Sequence, residues 1–599
     1  MVRSAYAMLK LPYGIADFHH LITAGYAYVD RTAAIRQVED LGEALLFIRP
    51  RRFGKSLWLD TLRCYYDLRL AGELRSLFGR LAIGRDPTPL ANRYFVLVWD
   101  FSAVDPRGSA DEIGARLHGY VNNTLRTFLS DYRDHLPADV EIEDHPVHSL
   151  GNVLAAIRRT PCKLYLLVDE YDNFANEVMT ADQGSYGRLV HSDGPFKQLF
   201  KWVKMARRGQ GLERLFITGV SPVVMSDLSS GLNICENAYL IEELNTLCGF
   251  TEGELRELLA HVAAEAETGV DVEEACAMMR TWYNGYRFAP NAEEAVYNPT
   301  LVLYFLKHLA RTGNYPRQML DANLAADEDK LRYLGEIARG RKLVFDLLAS
   351  DQAVEVSTLE ERFTLADLLE RELQGETFLA SFLYYFGMLT LAGETPQRKL
   401  RLVPPNLVVK TLYVDSVRRY LGLHAEEARA PSAALTADGD IQPLLEYVEQ
   451  AIFPNLSNRD YIRANETTIK AVFLALLADE VSYTIQSEQE LSKGYADLCL
   501  LLRPDAREAN LLDLLIELKY LGLKKLGVSG AKLRRLDREQ LLELPEVSRH
   551  LAAAAEQLRR YAAVLTGRQG DLRLRCFAVV ALGLERLVGL EVAVDGRTA

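Results

Sequence analysis

No stretch of this chain approaches the roughly 18–20 consecutive apolar residues that a membrane-spanning helix needs, although 49% of its residues are hydrophobic. Membrane insertion is therefore not expected. Cysteine is sparse: the seven, at 64, 162, 235, 248, 276, 499 and 576, include no C-x-x-C pair. That spacing supports neither a zinc knuckle nor a disulfide framework, and buried reduced thiols are the expectation. No repeat with a period of about 20–50 residues and no low-complexity tract is evident, which removes solenoid architectures. The first residues, MVRSAYAMLKLPYGIADF, lack the apolar core and small-residue cleavage site of a secretory signal, so a cytoplasmic location is expected. Positive charge is in deficit as well, with 69 Lys and Arg against 82 Asp and Glu for a net charge of −13. This argues against a surface that coats nucleic acid indiscriminately, whereas a local basic groove would vanish in such a sum.

What is present is enough chain for several cores: 599 residues, against about 100–200 per domain. Apolar, strand-like runs at 44–50 (ALLFIRP), 94–102 (YFVLVWDFS), 163–172 (KLYLLVDEYD) and 214–222 (RLFITGVSP) are separated by long helical patterns. This alternation predicts a parallel sheet wrapped by helices. From about 250 to 430 helix follows helix, beginning with a Thr251/Glu254 capping box. Within it, SFLYYFGMLTL followed by KLRLVPPN reads as a helix against a strand pair, a winged-helix-like element. The Ala, Ser and Pro of 426–440 lack apolar periodicity, and this stretch is expected to be a linker. Beyond it, strand patterns at 483–488, 495–502, 511–520, 573–582 and 586–594 predict a smaller α/β domain. The expected division is 1–248, 249–425, linker 426–440 and 441–599.

The first chemical signal is RPRRFGKS, placed between a strand and a helix. A phosphate-binding loop needs converging backbone N–H groups, a glycine for close approach, a lysine against phosphate charge and a hydroxyl for Mg²⁺. Arg51, Arg52, Phe53, Gly54, Lys55 and Ser56 fit this role, while Arg49 stands where G-x-x-x-x-G-K-[ST] has its first glycine. LYLLVDEYD ends a buried strand in two carboxylates, which suits Asp169 to the Mg²⁺ water shell and Glu170 to polarising a water. Thr218 closes a further apolar strand where its hydroxyl can sense the terminal phosphate. The arginines at 49, 51 and 52 suit contact with phosphate, either in their own chain or in a neighbouring subunit, which leaves a homo-oligomer open.

Together, LPYGIADFHHLITAGYAYVDRTAAI, FIRPRRFGKSLWLDTL, DFS, LLVDEYDNF, TGVSPVVMSDLSSGLN and WYNGYRF resemble the bacterial AAA-ATPase-like family over roughly residues 8–300. The resemblance implies a P-loop ATPase fold binding ATP with Mg²⁺, and it makes Arg49 a family trait, since the family's loop typically reads RPRRFGKS. It also implies a C-terminal restriction-endonuclease-like α/β domain of the PD-(D/E)XK nuclease superfamily. Metal-dependent phosphodiester cleavage needs converging carboxylates and a lysine near the water. Asp497 in GYADLCLLL, with Glu517 and Lys519 two apart on one strand face, supplies them. Asp497 and Glu517 are the expected ligands of Mg²⁺ or Mn²⁺. Glu466, and Gln557 with Tyr561 at i, i+4, match accessory positions of that superfamily. Lys524, Lys525, Lys532, Arg534, Arg535 and Arg538 form a local basic run suited to a nucleic-acid backbone. The reading is an ATPase coupled to a metal-dependent nuclease. Its alternative is a nucleotide-gated switch or scaffold that binds nucleic acid or protein without cutting.

Overall fold

In the computed structural model, residues 9–173, 188–189, 194–222, 234–265, 270–320, 331, 338–350, 352–361, 375–423, 425–457, 465–479, 481–491, 494–568 and 572–594 are described. The remainder of the TGVSPVVMSDLSSGLN motif beyond Pro222 lies outside them. Two compact units emerge, one of residues 1–313 and 354–405, the other of 314–353 and 406–599. Among the described residues no helix is long and apolar enough to cross a membrane.

In the first unit, β1 (Ala44–Ile48), β2 (Tyr94–Asp100), β3 (Lys163–Asp169), β4 (Leu212–Gly219) and the short β5 (Glu236–Asn237) form one sheet in the order β2-β3-β4-β1-β5. All of its pairings are parallel. Such a sheet is covered on both faces, which is why β1 is buried at all five positions and reads as a continuous apolar run. Around it lie α1 (Lys55–Tyr66), α2 (Ala110–Asp131), α3 (Pro146–Ile157) and α4 (Pro195–Ala206). α2 starts on a Ser109/Glu112 capping box. The helical stretch expected from 250 is α5 (Glu252–Glu265), α6 (Val272–Tyr283) and α7 (Pro299–Thr312). The Thr251/Glu254 box forms as expected: Thr251 N–H donates to Glu254 Oε2 at 2.8 Å and Glu254 N–H to Thr251 Oγ1 at 3.4 Å. A helix at Glu376–Tyr385 accompanies an antiparallel sheet of β6 (Val354–Val356), β7 (Thr390–Glu394) and β8 (Leu400–Val403), ordered β6-β8-β7.

The second unit contains α8 (Leu407–Leu421), α9 (Glu466–Leu477), α10 (Pro545–Arg568) and a mixed sheet in the order β13-β12-β11-β10-β9. Its strands are β9 (Tyr483–Leu491), β10 (Gly494–Leu502), β11 (Asp513–Leu521), β12 (Leu574–Leu582) and β13 (Arg586–Glu591), and only β11 and β12 pair in parallel. α10 spans the chain between these parallel neighbours, as a crossover must. The stretch 426–440 departs from the expected linker. It continues a helix, Ala425–Ala433, into a π-helical turn that ends at Gly439 with φ of 75°. Alanine is the strongest helix former and Leu435 is fully buried, so an Ala-rich segment without clean periodicity folds here against its own unit.

Candidate functional site

The loop between β1 and α1 is built from both sides. Gly54 precedes α1 in the left-handed region at φ 91° and caps the helix without a side-chain bond. The first N–H groups of α1 therefore have no capping side chain and suit an anion. Lys55 is buried and its Nζ donates to the Pro50 carbonyl at 3.0 Å. Burial lowers the Lys55 ammonium against the opposing pull of Asp169, Glu170 and Asp172. Behind the loop, Phe53 makes edge contacts with Tyr286 and Phe288 of the WYNGYRF motif, at 4.8 and 5.2 Å between ring centres. That motif holds the back of the phosphate loop.

Arg49 corrects the expectation of a phosphate-contacting cluster. Its guanidinium is 1% exposed, donates to the carbonyls of Ile48, Tyr239 and Leu244 at 2.8 Å each, and lies over the rings of Phe47 and Phe288. Burial pushes it down to about 10. It ties β1 to the chain after β5. Arg51 donates to Asn173 Oδ1 at 2.9 Å. Arg52, in the left-handed region at φ 67°, lines the cavity, and its Nη1 is buried without a hydrogen-bond partner.

Asp169 ends β3 and Glu170 follows it. Thr218, fully buried on β4, donates its hydroxyl to Asp169 Oδ1, the same oxygen that accepts the Glu170 N–H at 3.0 Å. Burial raises the Glu170 carboxyl, with Lys55 opposing and Asp169 and Asp172 adding. Glu170 sits at φ 46°, a conformation that a non-glycine residue adopts at a cost. Asp172 makes a role visible that the sequence did not assign: it accepts from the N–H groups of Val220 and Ser221 and from the Ser221 hydroxyl. The end of β3 and the turn after β4 are thereby clamped together. A cavity of about 300 Å³ opens from Lys55, Ser56 and Glu170 to an apolar lobe that includes Ile15, Tyr28 and Phe250. Arg31, also in its wall, pairs with Glu254 and donates to the Gly249 carbonyl at 2.7 Å, joining the segment before β1 to the start of α5.

In the second unit, Asp497 on β10 and Glu517 and Lys519 on β11 converge. Lys519 Nζ lies 2.8 Å from Glu517 Oε1 and 3.8 Å from both Asp497 Oδ2 and Glu466 Oε1. Asp497 Oδ2 accepts the Leu518 N–H at 2.8 Å. Glu517 is 1% exposed and its Oε2 is buried with no hydrogen-bond partner, an arrangement costly for a carboxylate unless a cation completes it. Burial, then the charge of Asp497, raises the Glu517 carboxyl above the usual range against the pull of Lys519. Burial lowers the Lys519 ammonium, but Glu517 and Asp497 outweigh it and the net shift is upward. Glu466 is raised, chiefly by burial.

Among the described residues no three His, Cys, Asp or Glu side chains are placed to hold a metal together. Lys470 was not legible as a site residue: on α9, its Nζ lies 3.0 Å from Asp497 Oδ1. The available signal was a lone charge inside IKAVFLALL, one helical turn after Glu466.

Residues 12–229 match the family model described as "Predicted AAA-ATPase", and residues 464–590 match that of the PD-(D/E)XK nuclease superfamily. The chain joins an AAA-ATPase-like domain to a PD-(D/E)XK nuclease-superfamily domain. A curated relative, an uncharacterized protein in the vnfD 5'region of Azotobacter chroococcum mcd 1, is 27% identical over 441 residues, covering 73% of this chain and 74% of its own length. Among solved structures, a Walker-type ATPase of Pyrococcus abyssi is similar at 13% identity and a TM-score of 0.38, covering 64% of this chain and 94% of that one. The Orc1 protein of Aeropyrum pernix, solved in complex with DNA, is similar at 14% identity and a TM-score of 0.25, covering 67% and 98%.

The AAA-ATPase-like domain brings Gly54, Lys55, Ser56 and Glu170 to one cavity, with Asp169 and Thr218 hydrogen-bonded beside it. The PD-(D/E)XK domain brings Glu466, Asp497 and Glu517 within 3.8 Å of the Lys519 ammonium. Tyr561 instead belongs to the core: it is buried among Ala496, Leu515, Leu521 and Leu558. Gln557 is half-buried on the same helix, α10. Leu515, Glu517, Lys519 and Leu521 share one face of β11 by the period of two, so α10 covers the face that carries the site.

Proposed function

We propose that this protein is an ATPase whose nucleotide state controls a Mg²⁺- or Mn²⁺-dependent nuclease, with residues 1–248 as the ATPase and 441–599 as the nuclease. The observation that carries the proposal is the buried, unpartnered Oε2 of Glu517 beside Asp497 and Lys519. At the first site, the backbone of Gly54 to Ser56 and Lys55 take the phosphates, Arg52 adds its buried Nη1, and the apolar lobe takes the base. Ser56 and Asp169 would hold the Mg²⁺ that bound ATP brings; Glu170 would orient a water, and Thr218 keeps Asp169 in place. At the second site, a divalent cation would supply charge for the phosphodiester's developing negative oxygens. Asp497 and Glu517 would hold it, and Lys519 would position the attacking water.

The substrate is nucleic acid. Support comes from the exposed Lys524, Lys525, Lys532 and Arg535 between β11 and α10. Arg534 and Arg538 of the same run are engaged with Glu585 and the Gly589 carbonyl, which leaves them to structure. The chain passes between the two compact units after 313, 353 and 405, and coupling would run through these passages. The deciding experiment is cleavage of labelled single- and double-stranded DNA and RNA with Mg²⁺ or Mn²⁺, with and without ATP. Cleavage should disappear in Asp497→Ala and change its ATP response in Lys55→Ala. Absence of metal-dependent cleavage in every arm, with ATP still bound, would leave the chain as a nucleotide-gated switch.

A further inference from the structure

Lys470 occupies a position where an aliphatic side chain would be expected. Every residue of α9 from Thr468 to Leu477 is buried, and the Lys470 side chain is 5% exposed. An ammonium so placed costs several kcal/mol unless it is paired. Its Nζ is 3.0 Å from Asp497 Oδ1, and it stands one turn along the helix from Glu466.

We propose that Lys470 is a positioning residue and a built-in positive charge, which holds Asp497 and limits the nuclease site to one divalent cation. The inference rests on the metal-dependent reading of that site. Asp497 has a partner on each oxygen already: Lys470 on Oδ1, and the Leu518 N–H at 2.8 Å on Oδ2. A carboxylate that bridges two ions offers an oxygen to each, and here Oδ1 is committed to an ammonium fixed by a buried helix. Open ligating capacity is concentrated on Glu517, whose Oε1 takes Lys519 at 2.8 Å while Oε2 has no hydrogen-bond partner. Charge agrees. The carboxylates of Glu466, Asp497 and Glu517 face the ammoniums of Lys470 and Lys519, a net −1 when all are ionised. One divalent cation reverses that small charge; two would leave +3 in a largely desolvated site.

The test counts bound Mn²⁺ on the full-length, nucleotide-free protein, by the loss of the free-ion spin-resonance signal, in wild type, Glu517→Gln, Lys470→Met and Lys470→Arg. Ions belonging to the site are those lost in Glu517→Gln. One ion is expected in wild type and Lys470→Arg, and two in Lys470→Met, where Asp497 Oδ1 is released and a positive charge removed. A Lys470 that served packing alone would leave the Lys470→Met count at one, and this would overturn the proposal. Two ions in wild type would overturn it without recourse to any variant, so a Lys470→Met chain that fails to fold does not protect it. If wild type and Glu517→Gln bind equal numbers, the metal-dependent reading itself falls, and the single-ion proposal with it.

Discussion

Arg49 shows how a residue's meaning depends on what surrounds it. In sequence it reads as a missing glycine in a phosphate loop, or as a third arginine for phosphate. In the structure it is a buried strut with three backbone carbonyls and two aromatic faces as partners. Arg49→Ala should destabilise the first unit by about 3 kcal/mol or more, because it orphans carbonyls and removes packing at once. Urea unfolding would measure this, and a loss below about 1 kcal/mol would contradict the assigned role. Arg49→Gly would not improve the loop, although it restores the usual motif. Lys470 poses the converse problem. Nothing in IKAVFLALL distinguishes a lysine reaching outward along an apolar surface from one aimed at a carboxylate.

At the scale of elements, the strands and helices that carry the chemistry were legible because their patterns have physical causes. β1 and β3 are buried throughout or nearly so, and parallel central strands must then read as unbroken apolar runs. The 426–440 stretch failed because its helix has no apolar stripe, only alanines and Leu435. Packing between α2 and α3 adds a titratable contact: the rings of His118 and His145 lie 4.9 Å apart, His148 follows at 5.3 Å from His145, and Glu143 Oε2 accepts from His148 Nδ1 at 3.1 Å. Burial, then His145, lowers the His118 imidazolium. The unfolded chain therefore takes up this proton more readily than the folded one. Stability from this group is present above the ordinary histidine range near 6.5 and falls as pH drops through it. Urea midpoints between pH 7.5 and 5.5 should decline, and His118→Gln should flatten part of that slope.

For the whole molecule, two sites in two compact units predict separable ligand effects. ATP with Mg²⁺ at about a hundredfold excess over its Kd should stabilise the fold that binds it by about 2.7 kcal/mol. Thermal unfolding should show this shift in wild type and Glu517→Gln, but not in Lys55→Ala. Mn²⁺ without nucleotide should do the reverse, stabilising wild type and Lys55→Ala but not Glu517→Gln. An identical response of both variants to both ligands would mean that the sites are not distinct.

The sequence by itself determined the local chemistry: strand, FGKS and helix in order, the Asp-Glu pair at a strand's end, and Glu517 and Lys519 on one strand face. These follow from neighbours a few residues apart, where periodicity and backbone geometry leave little choice. Tertiary structure alone decided which groups meet across long separations: Asp172 with the turn at Val220 and Ser221, Arg31 with Glu254, Arg49 with Tyr239 and Leu244, and Lys470 with Asp497. Each is a buried or half-buried polar group whose partner is chosen by the packing of elements distant in sequence. Burial is what makes such partners obligatory, because an unpaired charge or hydrogen-bonding group inside the fold costs more than the contact itself contributes.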